Sequence, residues 1–211
     1  MTRTLSNDER EALSGRIREA ESRTSGEIYC VVARSSDSYF YPAAFILTIG
    51  IVLAGIPVAL WLDRTWLALP HLMVVLSQVA ALATALLVLS VAPGLRILLV
   101  PRRLRYRRAH DNAVRQFLAH NVHVTTQRTG VLIFVSLAER YAEIVADAGI
   151  DDKVSQAEWD GIVGHIIEHA ASERLADGLG EAIDRAGALL SAHFPGGLDN
   201  PNELEDHVVE I

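Results

Sequence analysis

The chain opens with a polar stretch in which apolar residues recur at helical spacing. Ser6-Asn7-Asp8-Glu9 has the form of a capping box, in which Ser6 caps the helix and Glu9 reaches back from the third helical position. Behind it Leu13, Ile17 and Ala20 fall on one face, and Thr24-Ser25-Gly26 breaks the pattern. Ile28, Cys30 and Val32 then alternate with Tyr29 and Val31, which predicts a short buried first strand.

From Ser38 to Leu62 there is no charged residue, and after Asp63 and Arg64 there is again none from Leu72 to Leu95. Each run is long enough to cross about 30 Å of hydrocarbon at ~1.5 Å per residue. A domain of this size cannot enclose two helices that are apolar on every side, so a transmembrane hairpin is expected over 38–101, with spans at about 40–62 and 72–98. Pro57 and Pro93, with Gly50, Gly55 and Gly94, are tolerated in such spans and can kink them. Tyr39, Tyr41, Trp61 and Trp66 stand near the run ends, where an aromatic belt is expected.

Beyond the second run, Ala109, Ala113, Phe117 and Leu118 predict an amphipathic helix, and Gly130 opens a buried strand through Val131-Leu132-Ile133-Phe134-Val135. A tight connection at Glu139 and Arg140 leads to a second strand near 142–146. Ser155-Gln156-Ala157-Glu158 is another capping box, ahead of a helix with Trp159, Ile162, Val163 and Ile166 on its core face. A last helix, from about Arg174 to Phe194, turns Leu175, Leu179, Ile183 and Leu190 inward and stops at Pro195-Gly196-Gly197. Residues 198–211 are acidic, and a mobile tail is expected there. One helix and one strand cannot stand alone in 1–37, so they are expected to complete the sheet made by 102–197. The hairpin is then an insertion in one α/β domain rather than a linker between two.

Charge adds an orientation. Residues 96–108 hold six arginines and no acid, whereas 109–211 carry six basic against eighteen acidic groups. Arg102, Arg103, Arg105, Arg107 and Arg108 crowd the exit of the second run, while the connecting loop offers Arg64 balanced by Asp63. The positive-inside rule places 102–108 in the cytoplasm, and a hairpin returns to its starting side, so both soluble pieces are expected there. The amino terminus has no basic stretch followed by an apolar core, so no secretory signal is expected. The predicted location is a bacterial inner membrane, with anionic head groups attracted to the arginines by about 1 kcal/mol each. The acidic soluble half argues against nucleic acid as a partner. Cys30 is alone, which excludes an intramolecular disulfide and a cysteine zinc cage.

Thr24-Ser25-Gly26-Glu27-Ile28 before a strand resembles the TPM domain family. So do Arg128-Thr129-Gly130-Val131-Leu132-Ile133-Phe134-Val135-Ser136, then Glu139-Arg140, Ile144-Val145-Ala146-Asp147-Ala148-Gly149-Ile150, Trp159 and His193-Phe194-Pro195. The motif positions are Thr24, Gly26, Glu27, Arg128, Gly130, Arg140, Asp147 and Trp159. The resemblance implies an α/β fold, a mixed sheet flanked by helices, here interrupted by the inserted two-helix hairpin. It is similar to proteins linked with weak acid phosphatase activity, divalent metal binding, photosystem maintenance and receptor modulation. This chain departs from many relatives in its expected cytoplasmic domain, in Thr129 before the strand glycine, and in the stretch from Ala146 to Asp152.

Several residue sets carry possible chemistry. Glu27, Asp147, Asp151 and Asp152 form the best acidic set for a calcium or magnesium ion, which wants several oxygens; Asp151 and Asp152 also suit the start of the next helix. Arg128 and Arg140 flank the central strand and could grip a phosphate or carboxylate, or pair with acids such as Glu139 or Glu143. His165-Ile166-Ile167-Glu168-His169 spells H-x-x-E-H, an inverted zinc-protease pattern, but Glu168 points away from the core stripe and a solvated flank is expected. Ser136 and Thr129 lack an evident base, and His120 and His123 read as turn residues. The expected function is a non-catalytic, membrane-tethered binding or assembly module that meets a membrane-protein partner or another copy of itself. The alternative is a weak divalent-metal-dependent phosphatase using the acids near Asp147.

Overall fold

The computed structural model describes residues 5–65, 71–125, 127–151, 153–196, 204 and 207–211, without the side chains of His71 and Asp151. Its chain forms two compact units, Met1–Ser36 with Tyr106–Ile211, and Asp37–Arg105.

The first unit is built on a four-stranded sheet of order β3-β2-β1-β4. Its strands are β1 (Glu27–Ala33), β2 (Gly130–Ser136), β3 (Tyr141–Ala146) and β4 (Val208–Glu210). β1 runs parallel to β2 and to β4, and β2 pairs antiparallel with β3, so the sheet is mixed. Both faces are covered, which explains why β1 and β2 are apolar at nearly every position rather than at alternate ones. On one face Ile28, Cys30, Val32, Val131 and Ile133 pack with residues of α1 (Asn7–Glu21), α7 (Gln156–Ala171) and α8 (Leu175–His193). On the other, Tyr29, Val31, Leu132 and Phe134 pack with Ala113 and Phe117 of α5 (Arg102–Ala119). Both capping boxes form, Ser6 with Glu9 and Ser155 with Glu158. Burial of Leu13, Ile17, Ala20, Trp159, Ile162, Ile166, Leu179, Ile183 and Leu190 follows the helical spacing.

Two expectations change here. Leu118 is exposed, because Phe117 and Ala113 take the sheet-facing stripe of α5 and the next residue lies about 100° further round. The stretch expected to be a mobile tail ends in order: Val208–Glu210 is an edge strand, held by backbone bonds from Arg34 N to Ile211 O (2.8 Å) and from Ile211 N to Val32 O (3.1 Å). Glu210 also accepts a bond from Leu5 N at 3.0 Å. Residues 198–203, 205 and 206 lie outside the described residues.

The second unit holds α2 (Phe40–Arg64), α3 (His71–Val91) and α4 (Pro93–Leu99). The first two contain segments long and apolar enough to cross a membrane, Phe40–Arg64 and Leu72–Val91, and only 6% of each apolar window is buried. α2 continues through Pro57, but the second apolar run breaks at Ala92. Pro93 has no N–H for the Leu89 carbonyl, and the Arg96 guanidinium takes over: Nε donates to Leu89 O (2.7 Å) and Nη2 to Ser90 O (2.8 Å). α2 and α3 meet where Gly55 faces Gln78, so closely that a Cβ on Gly55 would lie 1.6 Å from the Gln78 amide nitrogen. Tyr41 and Trp61 are exposed, as belt residues would be, but Tyr39 is buried with Ala43, Leu89 and Val100. Its left-handed backbone (φ 53°) starts α2 and turns the ring into that cluster. Trp66 lies outside the described residues.

Candidate functional site

The register of the sheet brings Glu27, Gly130 and Asp147 to one end. Glu27 pairs with Gly130, Val131 pairs with Ala146, and Asp147 N donates to Gly130 O at 2.9 Å. These three positions form a row at the ends of three strands, and the alternation, carried one residue past β3 by the Asp147 N–Gly130 O bond, puts Glu27 and Asp147 on the α5 face with Tyr29, Leu132 and Val145. Gly130 is required at the centre: a Cβ there would lie 2.0 Å from the Val122 carbonyl oxygen, which occupies the space above it. Both acids are buried, Glu27 to 3% exposure and Asp147 to 4%.

Arg128 meets Asp147 from the solvent side. It stands in the left-handed region (φ 54°), in a turn fixed by Arg128 N to Thr125 O (3.0 Å) and Thr129 N to Thr125 Oγ1 (2.9 Å). Its Nη2 lies 3.3 Å from Asp147 Oδ1, which also accepts the Ala148 amide at 2.6 Å. Asp147 Oδ2 is buried and makes no hydrogen bond among the described residues. The Asp151 side chain and Asp152, named with these acids as a cation set, lie outside the described residues. Among those described, no group of three His, Cys, Asp or Glu side chains is placed to hold a metal ion. A divalent cation at Asp147 does not fit as the row stands, because the Arg128 guanidinium is already on that carboxylate and would repel it.

Thr24 and Gly26 join β1 to the end of α8. Thr24 is fully buried; its hydroxyl donates to Phe194 O (2.6 Å), and Thr24 Oγ1 in turn accepts the Gly26 amide (3.0 Å). Gly26 packs on Leu190, whose side chain would stand 3.0 Å from a Cβ at that position. The motif pieces Thr24-Ser25-Gly26 and His193-Phe194-Pro195 are therefore two halves of one joint. Trp159 is a core residue, 3% exposed.

At the opposite end of the sheet Glu139 is buried among serines. It accepts from Ser136 Oγ, from Ser36 N at 3.0 Å and from Ser35 Oγ at 3.3 Å, while the Ser36 and Ser136 hydroxyls are 2.8 Å apart. Ser136 and Glu139 are 0% and 2% exposed, so this serine–carboxylate pair ties the segment after β1 to the β2–β3 turn and does not face a substrate. Arg140 occupies the left-handed position of that turn (φ 53°). Arg128 and Arg140 thus stand at opposite ends of β2, and one small anion cannot be gripped by both. Arg128 pairs with Asp147 rather than with Glu143, whose oxygens lie 2.8 and 3.0 Å from His110 Nδ1. Glu143 also accepts the Tyr141 hydroxyl at 2.9 Å; burial, and then this carboxylate, push the Tyr141 phenol upward.

His165 and His169 do not form a metal set with Glu168. Glu168 is largely exposed, 3.9 Å from His165, and His169 bonds backward to the His165 carbonyl (3.0 Å) and lies 3.8 Å from Glu181. Thr129 donates to Ser25 O (2.8 Å), and His120 stacks on Tyr29 with its Nδ1 3.0 Å from the phenol oxygen. His123 lies beside Phe117 in the turn before β2. Arg102, Arg103, Arg107 and Arg108 are exposed along α5, and Arg105 is partly buried. The Glu139 and His110–Glu143 clusters were not foreseen. A serine and a glutamate three residues apart across a turn were the only local signal for the first, and the second joins residues 33 apart.

These features define a mixed α/β domain whose chain is interrupted after its first strand by two long apolar helices. The family model described as the TPM domain matches residues 78–189, more than half of the chain, and the chain belongs to that family. The BA42 protein of the psychrophilic bacterium Bizionia argentinensis, solved by NMR, has a similar fold. The TM-score is 0.62 at 20% identity, over 100% of this chain and 98% of that one. No curated protein matches the chain.

Proposed function

We propose that this chain is a TPM domain tethered to a bacterial inner membrane by α2 and α3, its α/β unit in the cytoplasm, and that it works as a non-catalytic binding or assembly module. The observation that carries the tether is the pair of apolar helices, only 6% buried along their windows, inserted between β1 and the remainder of the sheet. Surfaces of that kind need hydrocarbon or protein around them. Orientation rests on the arginines from Arg102 to Arg108, whose exposed members suit an anionic leaflet.

The module reading is supported by how the reactive residue types are spent. Ser136 and Glu139 hold the chain together, Thr24 and Thr129 bond backbone carbonyls, and His169 bonds its own helix. A metal-dependent phosphatase would need Asp147 as a ligand, and Arg128 holds that carboxylate. The partner is a membrane protein or a second copy of this chain.

Affinity purification from mildly solubilised membranes, read by mass spectrometry, tests the proposal. The control replaces residues 38–101 by a short flexible bridge. A partner retained by both forms places recognition on the α/β unit; retention by the full chain alone places it on the helices. Turnover of a phosphomonoester by the purified chain, with no retained protein, would sink the module reading.

A further inference from the structure

We infer that Arg128 is a built-in counter-cation, standing where a divalent ion would otherwise neutralise Asp147, and that removing its charge turns this end of the sheet into a calcium- or magnesium-binding site. The inference goes beyond tethering and does not depend on it.

Asp147 is 4% exposed, yet among the described residues Oδ1 alone is satisfied, by the Ala148 amide and the Arg128 guanidinium. Oδ2 is buried and makes no hydrogen bond among the described residues. A buried carboxylate with one bare oxygen is costly unless a cation stands beside it. The cation present is a side chain: Arg128 reaches the carboxylate at 3.3 Å while remaining 63% exposed, so it meets Asp147 from the solvent side. Its backbone is locked into that approach. The left-handed φ of 54° is held by Thr125, and the loop beyond presses so closely that a Cβ on Gly149 would lie 2.5 Å from Arg128 O. Without the guanidinium, what remains is oxygen chemistry. Asp147 Oδ2, the Glu27 carboxylate in the same row and the Val122 carbonyl above the intervening Gly130 are hard donors of the kind calcium and magnesium take.

The test uses the full chain in mild detergent: wild type, Arg128→Gln, Arg128→Lys and the double variant Arg128→Gln with Asp147→Asn. Thermal midpoints are read in EDTA, in millimolar CaCl2 or MgCl2, and in NaCl of matched ionic strength. Wild type and Arg128→Lys should show the same midpoint in all three, and CaCl2 titrated into wild type should give no binding heat. Arg128→Gln should melt earlier in EDTA and rise by about 3 °C or more with CaCl2 or MgCl2. That rise should be absent from the double variant. If Arg128→Gln fails to fold in EDTA, its recovery when expressed and purified in CaCl2 supports the inference, and failure to recover counts against it. Saturable calcium heat in wild type, abolished by Asp147→Asn, overturns it. So does an Arg128→Gln protein that no divalent ion stabilises.

Discussion

Replacing Glu139 by alanine tests whether the serine-ringed carboxylate is a joint of the fold. The side chain is 2% exposed and accepts from donors on two chain segments about a hundred residues apart, among them Ser35 and Ser36 after β1 and Ser136 at the end of β2. Hydrogen bonds to a charged acceptor contribute about 1.5–3 kcal/mol each, but they are not additive. After truncation the Ser36 and Ser136 hydroxyls, 2.8 Å apart, can still satisfy each other. The half-buried Ser36 amide is left short of this acceptor and a buried carboxylate site is emptied, so a loss of about 3 kcal/mol is expected, or roughly 6–12 °C in a chain of this length. Glu139→Gln keeps one carbonyl oxygen for the Ser36 amide and should lose about half as much. Urea unfolding of the full chain in detergent, followed by the fluorescence of Trp159 with the other two tryptophans replaced by phenylalanine, reads both variants. A Glu139→Ala protein within about 1 kcal/mol of wild type would refute the reasoning, because a buried joint cannot be removed so cheaply.

Gly130→Ala should be severely destabilising or fail to fold, since its Cβ would lie 2.0 Å from a backbone oxygen that cannot move like a side-chain tip; thermal unfolding or recovered yield checks this. Arg96→Met removes the donors for the Leu89 and Ser90 carbonyls and should cost about 2 kcal/mol, seen as a lower midpoint and faster amide exchange around Pro93. The backbone amide of Ser155, and then its hydroxyl, hold the Glu158 carboxylate below its ordinary value of 4.5. A lowered folded value means the charged form favours the fold. The advantage of wild type over Glu158→Gln should therefore be full above pH 4.5 and fade as the pH falls through the lower folded value, measured as the difference in midpoints across acid titration.

What was legible in the sequence was local or periodic. The capping boxes at Ser6 and Ser155, the inward stripes of α1, α7 and α8, and the two apolar runs are each written in residues a few positions apart. The same logic reads Gly130 correctly as a strand opening. It fails where neighbours in space are distant in sequence: Arg128 with Asp147, His110 with Glu143, and Ser36 with Glu139. Val208-Val209-Glu210 is too short and too close to acidic residues to announce a strand, and it is recognisable only because β1 offers a free edge. Tyr39 carries the composition of a belt residue, yet a left-handed backbone turns it inward. Leu118 shows the limit of counting apolar residues without fixing the phase of the helix.

The position of β1 between β2 and β4 has a consequence for synthesis. β1 leaves the ribosome early, but its parallel neighbour β2 begins at Gly130 and its other neighbour at Val208, with Leu5 and Glu210 finally joined across 205 residues of chain. At about 5–20 residues per second, a strand apolar on both faces waits several seconds for its first partner. During that interval two long apolar helices emerge as well. Contacts this remote make slow folding expected, and they give the first helix and strand a strong need for shelter while the sheet is incomplete. A chain stalled before residue 130 would expose β1 as a sticky, aggregation-prone nascent segment, so quality control should act on this protein mainly while it is being made.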